Sequence, residues 1–246
     1  MSVTDEYRLV PTRRPRGRAQ GFQRWDQLLF VHWEVPEAVL RPLVDRRLEL
    51  DTHGGRCFVG LVSFTMRGVR PLLPFPAIPT AEDFGEINLR TYVHHRGREP
   101  GVWFFSLDAA SSLVVLAARV GWGLPYFRAG VKVSSEGATR TWRSARRWPH
   151  VPARHEAGCT VGAPVDAPEV GSLGFFLAER YQFYAVQADA LVRARVHHPP
   201  YALHEAHAVD VQTDLLGSAG LPSSGARTPD WYSPGVDVEV FPAEEV

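Results

Sequence analysis

The residues most able to do chemistry lie close together in Glu86-Ile87-Asn88-Leu89-Arg90-Thr91-Tyr92-Val93. Taken with the period of two of an extended chain, Ile87, Leu89 and Val93 share one face, and Glu86, Asn88, Arg90 and Tyr92 share the other. A carboxyl two pleats from a guanidinium suits an organic acid. The guanidinium holds the acid's carboxylate, and the carboxyl gives or takes a proton nearby. Alternation says which side chains share a face, not which face is inside, so a polar face turned to water also fits the pattern.

Few other groups compete. Lys132 is the only lysine among 27 basic residues, so a reaction through an amine has one side chain to use. His204 and His207 have a spacing that ligates metal on a helix, but their segment reads as partly extended and no third ligand accompanies them. No metal is expected. His94-His95 and His197-His198 fall near strand ends and read as surface residues. Cys57 and Cys159 stand outside any C-x-x-C pair, which leaves zinc and redox motifs without support. G-x-S-x-G, Walker and G-x-G-x-x-G patterns do not occur, and Gly217-Ser218-Ala219-Gly220 reads as a loop rather than a nucleophile elbow. Hydrolase and nucleotide-binding classes are left without support, and no cofactor is expected.

The elements that would position these groups are mostly strands. Leu28 to Val35 is a run of β-formers, and Pro36 then suits the first turn of a short helix over Glu37 to Val44. Leu48–Asp51 and Cys57–Thr65 flank His53-Gly54-Gly55, a hairpin signal. Four prolines between Val69 and Pro79 predict an irregular loop. Glu86–His94 and Val102–Leu107 predict a strand pair. Ala109–Val120 is the clearest helix, with Leu113, Leu116, Ala117 and Val120 at helical spacing and Gly121 as its end. Gly130–Ser135 and Ala138–Ser144 predict a hairpin, and Gly171–Tyr181 a second helix. Strands follow at about Phe183–Val186, Ala190–His197, Ala206–Thr213 and Val236–Phe241. Many strands with a few short helices predict a β-rich α+β fold, a closed or nearly closed antiparallel barrel, because closure removes exposed edges.

Composition agrees with such a fold. The chain has 246 residues, 45% hydrophobic and 11% aromatic, enough for a sizeable core. No linker divides it, so residues 22–242 are expected to form one domain. Acidic and basic residues balance at 27 each, which gives no general attraction to nucleic acid or to an anionic membrane. Arg13, Arg14, Arg16 and Arg18 make residues 1–21 a basic segment, expected to be a mobile, solvated tail. It is followed by no apolar stretch of export length, and Leu113–Ala118 is too short to span a bilayer. A cytoplasmic location is expected.

Trp25 with Leu28-Leu29-Phe30-Val31-His32-Trp33, then Leu40-Arg41-Pro42-Leu43-Val44 and Val59 to Met66, opens a series of stretches that belong together. Phe84 to Val93, Gly101 to Ala109, Ala118-Arg119 through Phe127, Glu179-Arg180-Tyr181 and Tyr232 to Val240 continue it. Jointly, from about residue 22 to 241, they resemble the YqjF-like uncharacterised family (domain of unknown function 2071), although none is specific alone. The family brings no established activity. It is similar in fold to acetoacetate decarboxylase, which implies a cone-like β-barrel with a central ligand cavity.

In those decarboxylases a Gly-Arg-Glu element at a helix end precedes Gly-x-Pro-Lys, whose lysine forms a Schiff base with the 3-oxo acid. Ala118-Arg119-Val120-Gly121-Trp122-Gly123-Leu124-Pro125-Tyr126 resembles that stretch, with the arginine and proline matched and Tyr126 at the lysine position. A phenol, with a reference pKa near ~10, cannot form the imine electron sink. Lys132 lies six residues further on and shares the Tyr126 side only along an unbroken strand. Glu86 falls where the decarboxylases have a cavity carboxylate. The resemblance thus implies Glu86 and Tyr126 as catalytic candidates, with Arg90, Asn88, Tyr92, Arg119 and His32 as binding candidates.

Three functional readings follow. In the first, an enzyme acts on a small oxo acid or related carbonyl compound by lyase-like chemistry without a Schiff base. Glu86 is its general acid/base, Arg90 its carboxylate anchor, and Tyr126 a donor to a developing enolate oxygen. In the second, the same barrel binds a small molecule without turnover, with Trp103, Phe105, Trp122 and Phe127 walling an apolar cavity. In the third, Glu86 and Arg90 merely pair with each other. The expected partner is a small organic acid. A homo-oligomer is compatible with the resemblance, but assembly surfaces do not carry over.

Overall fold

The computed structural model describes residues 3–71, 83–149, 151–222 and 225–246. Thirteen strands form among them: β1 (Gly21–Glu34), β2 (Glu49–Leu50), β3 (Phe58–Pro71), β4 (Phe84–His95), β5 (Arg98–Ala109), β6 (Tyr126–Glu136), β7 (Thr139–Trp148), β8 (Arg154–Pro164), β9 (Gln182–Gln187), β10 (Ala190–His197), β11 (His204–Thr213), β12 (Trp231–Val240) and β13 (Glu244–Glu245). Five α-helices and one 3-10 turn (Arg41–Leu43) accompany them: α1 (Asp5–Leu9), α2 (Glu37–Leu40), α3 (Ser112–Trp122), α4 (Leu173–Ala178) and α5 (Leu215–Ser218).

All thirteen strands belong to one sheet whose hydrogen bonding closes on itself twice, through the β4–β5 and β10–β12 pairings. One circuit runs β1-β3-β4-β5-β9-β10-β12, and the other runs β1-β3-β4-β5-β6-β7-β8-β11-β12. The strands β12, β1, β3, β4 and β5 form a wall common to both. Two separate apolar clusters occupy its two sides. Phe30, Val62, Phe64, Leu107 and Tyr126 belong to one, and Leu29, Val31, Leu61, Ile87, Leu89 and Trp142 to the other. Consecutive residues of β1, β3 and β4 therefore fall in alternate interiors, and every residue of β4 except His95 is buried. Both β5–β6 and β5–β9 are parallel junctions within an otherwise antiparallel arrangement.

Helices close the ends of the shorter circuit. Ser111 caps α3 by accepting from the Val114 N–H, and Val115 is the buried residue of that helix. The apolar series expected as its core face is corrected, because Leu113, Leu116 and Val120 are exposed. Gly123, not Gly121, ends the helix in a left-handed conformation (φ +66°), and a Cβ there would lie 2.3 Å from the Val186 carbonyl oxygen. The second helix, expected over Gly171–Tyr181, is the shorter α4, whose Phe175, Phe176, Leu177 and Ala178 are all buried.

Three further expectations change. The short strand β2 pairs with β4 through Glu49–His94 and Leu50–Val93, so Leu48–Asp51 does not form a hairpin with β3. Only His53 and Arg56 bridge across the Gly54-Gly55 turn. Strand β8 carried no sequence signal of its own; it completes the longer circuit between β7 and β11. In the proline-rich stretch, β3 continues through Pro71, and residues 72–79 lie outside the described residues.

The basic leader is not simply a solvated tail. Arg13, Arg14, Arg16 and Arg18 are exposed, but Val3, Arg8, Pro11 and Ala19 are buried. Arg8 binds Asp51 in a bidentate pair at 2.7 and 2.8 Å, and Arg180 binds the same carboxylate at 2.8 Å. Burial would raise the Asp51 carboxyl, yet Arg180 and Arg8 outweigh it and hold it below its ordinary value. A buried carboxylate recruits the leader, because desolvated charge is tolerated only when paired.

Asp51→Asn leaves two buried guanidinium groups without their counter-charge. It is expected to lower the unfolding free energy in urea by about 3–5 kcal/mol. Arg8→Met keeps the Asp51–Arg180 pair and costs less. A wild-type midpoint for Asp51→Asn would show that this cluster does not hold the leader.

Candidate functional site

Strand register assembles the polar stripe. Gly60 pairs with Arg90, Val62 with Asn88 and Phe64 with Glu86, while His32 pairs with Gly60 and Phe30 with Val62. Directly paired residues share a face, so Glu86, Asn88, Arg90, Tyr92 and His32 all line the interior of the shorter circuit, with Phe30 and Phe64 among its apolar neighbours. Asn88, Arg90 and Tyr126 keep 7–9% of their surface along this otherwise buried face. A surface cleft of about 670 Å³ lies near Phe84, Gly85 and Ser111 and takes in none of these groups.

At one end of the stripe, the Tyr126 hydroxyl donates to Glu86 Oε1 and Oε2 at 3.2 and 3.3 Å. Tyr126 reaches Glu86 because β6 begins alongside β5, with Leu107 paired to Tyr126 and Ala109 to Glu86. Complete burial pushes the Glu86 carboxyl up to about 8, against the opposing hydrogen bonds from Tyr126 and Asn88. Glu86 is thus a neutral acid through much of the physiological range, poised to give a proton. Burial, and then the neighbouring Glu86, raise the Tyr126 phenol well above its ordinary value, so it remains a donor.

The other end is cationic. Arg90 donates to the Leu177 carbonyl at 3.2 Å, and the Tyr92 hydroxyl donates to the same oxygen at 2.9 Å. This fixes the stripe to α4. Among the described residues no carboxylate forms an ion pair with Arg90, and its Nε has no partner. Glu86 and Arg90 are therefore not a mutually satisfied pair. His32 is fully buried with both ring nitrogens unpartnered. Burial and then Arg90 lower its pKa well below the ordinary value, leaving a neutral imidazole. Gly60 makes this packing feasible, since a Cβ there would lie 3.0 Å from both His32 Nε2 and the Tyr92 hydroxyl.

Some candidates lie elsewhere. Arg119 stays outside the stripe on α3; it donates to the Tyr126 carbonyl at 2.6 Å and rests over the Trp148 ring. It braces the backbone that carries Tyr126. Lys132 lies on the Tyr126 side of β6 by alternation but is exposed, because β6 pairs with β5 only from Tyr126 to Arg128 and beyond that point this face has left the wall. A second shift pairs Leu89 with Ser106 but Arg90 with Phe104, so Phe104 rather than Trp103 or Phe105 packs with the inner cluster. Of the four aromatics expected to wall the cavity, Trp122 packs there, while Trp103 and Phe105 pack in other clusters and Phe127 lies beneath Arg146. His204 and His207 fall on a strand, where a spacing of three sends them to opposite faces. The Leu177 carbonyl and the space over Gly60 had no signal in the sequence, since both depend on partners distant along the chain.

The fold is acetoacetate decarboxylase-like. The chain matches acetoacetate decarboxylase from Legionella pneumophila with a TM-score of 0.66 at 15% identity, over 100% of this chain and 96% of that one. It matches the enduracididine biosynthesis enzyme MppR complexed with pyruvate with a TM-score of 0.63 at 13% identity, over 94% and 91%. Within this fold class the chain belongs to the uncharacterised conserved family known as domain of unknown function 2071, whose model matches residues 22–237. The uncharacterised protein YqjF of Bacillus subtilis (strain 168) is 40% identical over 205 residues, 82% of this chain and 83% of that protein. No helix among the described residues is long and apolar enough to cross a membrane.

The raised Glu86 carboxyl makes stability depend on pH. Below about pH 4.5 the group is protonated whether the chain is folded or unfolded. As pH rises to about 8, the unfolded chain ionises while the folded chain holds its proton. Native stability therefore falls over that interval. Glu86→Gln is expected to remove this loss, gaining up to about 5 kcal/mol on wild type between pH 4.5 and 8.5. Parallel pH profiles for the two proteins in urea titrations would show that Glu86 is not held protonated.

Proposed function

We propose that the stripe binds a small organic acid, an oxo acid or related carbonyl compound, with its carboxylate at Arg90 and its carbonyl near Glu86 and Tyr126. The observation that carries this reading is the buried Arg90 without an ion-pair partner, on the same inner face as a protonated Glu86. A desolvated guanidinium gains most from an anion that completes its hydrogen bonds. The likeness to a fold in which MppR is seen with pyruvate is in keeping with that ligand class.

The chemistry available at such a site is acid–base and not imine chemistry. Glu86 protonates the carbonyl oxygen as charge develops on it, and the Tyr126 hydroxyl hydrogen-bonds the same oxygen. Lys132 is exposed, so no amine is available at the position where the fold's decarboxylases carry one. A non-catalytic binding protein is the second reading. It is favoured by the absence, among the described residues, of an amine beside the Glu86–Tyr126 pair; the carboxylate that acts on Glu86, Asp108, is held by Arg146.

Titration calorimetry with a panel of 2-oxo and 3-oxo acids tests the anchor. Arg90→Gln is expected to weaken binding at least tenfold, about 1.4 kcal/mol; undiminished binding overturns the site. Borohydride trapping with the same acids is expected to leave Lys132 unmodified. A Lys132 adduct, read by peptide mapping and abolished in Lys132→Arg, would replace this mechanism with an imine one. Turnover followed by NMR separates the two readings. Product formation lost in Glu86→Gln and Tyr126→Phe, with binding retained, supports the enzyme, whereas a ligand recovered unchanged supports the binding protein.

A further inference from the structure

Between the cationic and acidic ends, the stripe presents polar atoms that a simple oxo acid would leave unsatisfied. Asn88 Oδ1 and both nitrogens of His32 are buried without partners. They belong to one patch. His32, Gly60 and Arg90 lie side by side across three strands, and Asn88 stands one pleat from Arg90 toward Glu86. Gly60 contributes no side chain, so the imidazole borders the Arg90 side of the patch directly. Strand geometry separates the Glu86 and Arg90 Cα atoms by about 13 Å, which favours an extended ligand over one of three or four carbons.

The chemistry of these atoms defines the complement. Asn88 Oδ1 needs a donor. A neutral imidazole offers one N–H and one lone pair, so it needs an acceptor and a donor. Arg90 needs an anionic oxygen. A hydroxyl group both donates and accepts, and a chain of them satisfies Asn88 and His32 together. We infer that the ligand is an acid hydroxylated along its chain, a polyhydroxy oxo acid rather than an unsubstituted one, with His32 and Asn88 as the residues that select the hydroxyl groups. This rests on the proposed function in taking Arg90 as the carboxylate anchor, and adds the substrate class.

Selection by buried polar groups is steep, because a ligand lacking the hydroxyl leaves them desolvated and unpaired. The experiment compares two acids of equal length whose carbonyl is remote from the carboxylate, 5-oxogluconate, hydroxylated between the two groups, and 5-oxohexanoate, by titration calorimetry on the full chain. The expected result is at least tenfold tighter binding of 5-oxogluconate. In Asn88→Leu and His32→Phe that preference is expected to shrink severalfold. Circular dichroism and the urea midpoint verify that each variant is folded.

Equal affinity of wild type for the two acids overturns the inference while leaving the Arg90 anchor intact. A preference that survives in both variants also overturns it, by assigning the selection to other residues. If neither acid binds, and no acid of the wider panel binds either, the proposed function fails together with the inference.

Discussion

Strand β4 stands in a wall between two interiors, so neither of its faces can meet water, and every polar group it carries must be satisfied within protein or by something taken into it. This constraint organises the rest. Apolar side chains on one face pack against the layer formed by β6, β7 and β8. Glu86, Asn88, Arg90 and Tyr92 on the other face must be accommodated inside the shorter circuit. An exposed strand of the same sequence would need no helix carbonyl for Arg90 and would not hold a carboxyl protonated at neutral pH.

The two interiors resolve their charges differently. In the longer circuit, Asp108 accepts from Arg146 at 2.8 and 2.9 Å, and Ser63 Oγ lies 3.1 Å from His155 Nε2. Burial lowers that imidazole to about 4, so it packs there uncharged. At the α4 end of the shorter circuit, Asp51 is shared between Arg8 and Arg180, whose guanidinium also stacks on Tyr92 and Phe176. Arg90 lies nearby, donating to the Leu177 carbonyl and resting against Tyr92. The result is an excess of positive charge at one end of an enclosed stripe and a neutral acid at the other. Desolvation gives each more influence on an incoming group than it would have in water.

Much of this was legible in advance, and the limits of legibility have physical causes. Period-two alternation groups Glu86, Asn88, Arg90 and Tyr92 because the pleat of a regular strand is local. The same rule fails at Phe104, where an extra residue in β5 inverts the parity of everything beyond it, and it falls short at Lys132, where β6 has parted from β5 and the Tyr126 side of the strand meets solvent. The α3 stripe of Leu113, Leu116 and Val120 misled for a related reason. Helical periodicity reports a face, and here the helix turns Val115 and Trp122 toward the core while leaving that stripe exposed.

By itself the sequence determined the strand-rich class, the family, the grouping of the polar stripe, and the restriction of amine chemistry to Lys132, because each follows from local periodicity or from side-chain identity. Tertiary structure alone decided that the stripe faces inward, that Tyr126 meets Glu86, that Arg90 has no ion-pair partner, and that Arg8 is drawn from a basic leader to Asp51. Those outcomes depend on which strands close the circuits and on the desolvation that closure imposes. Both arise between residues tens to more than a hundred positions apart, beyond the reach of any local pattern.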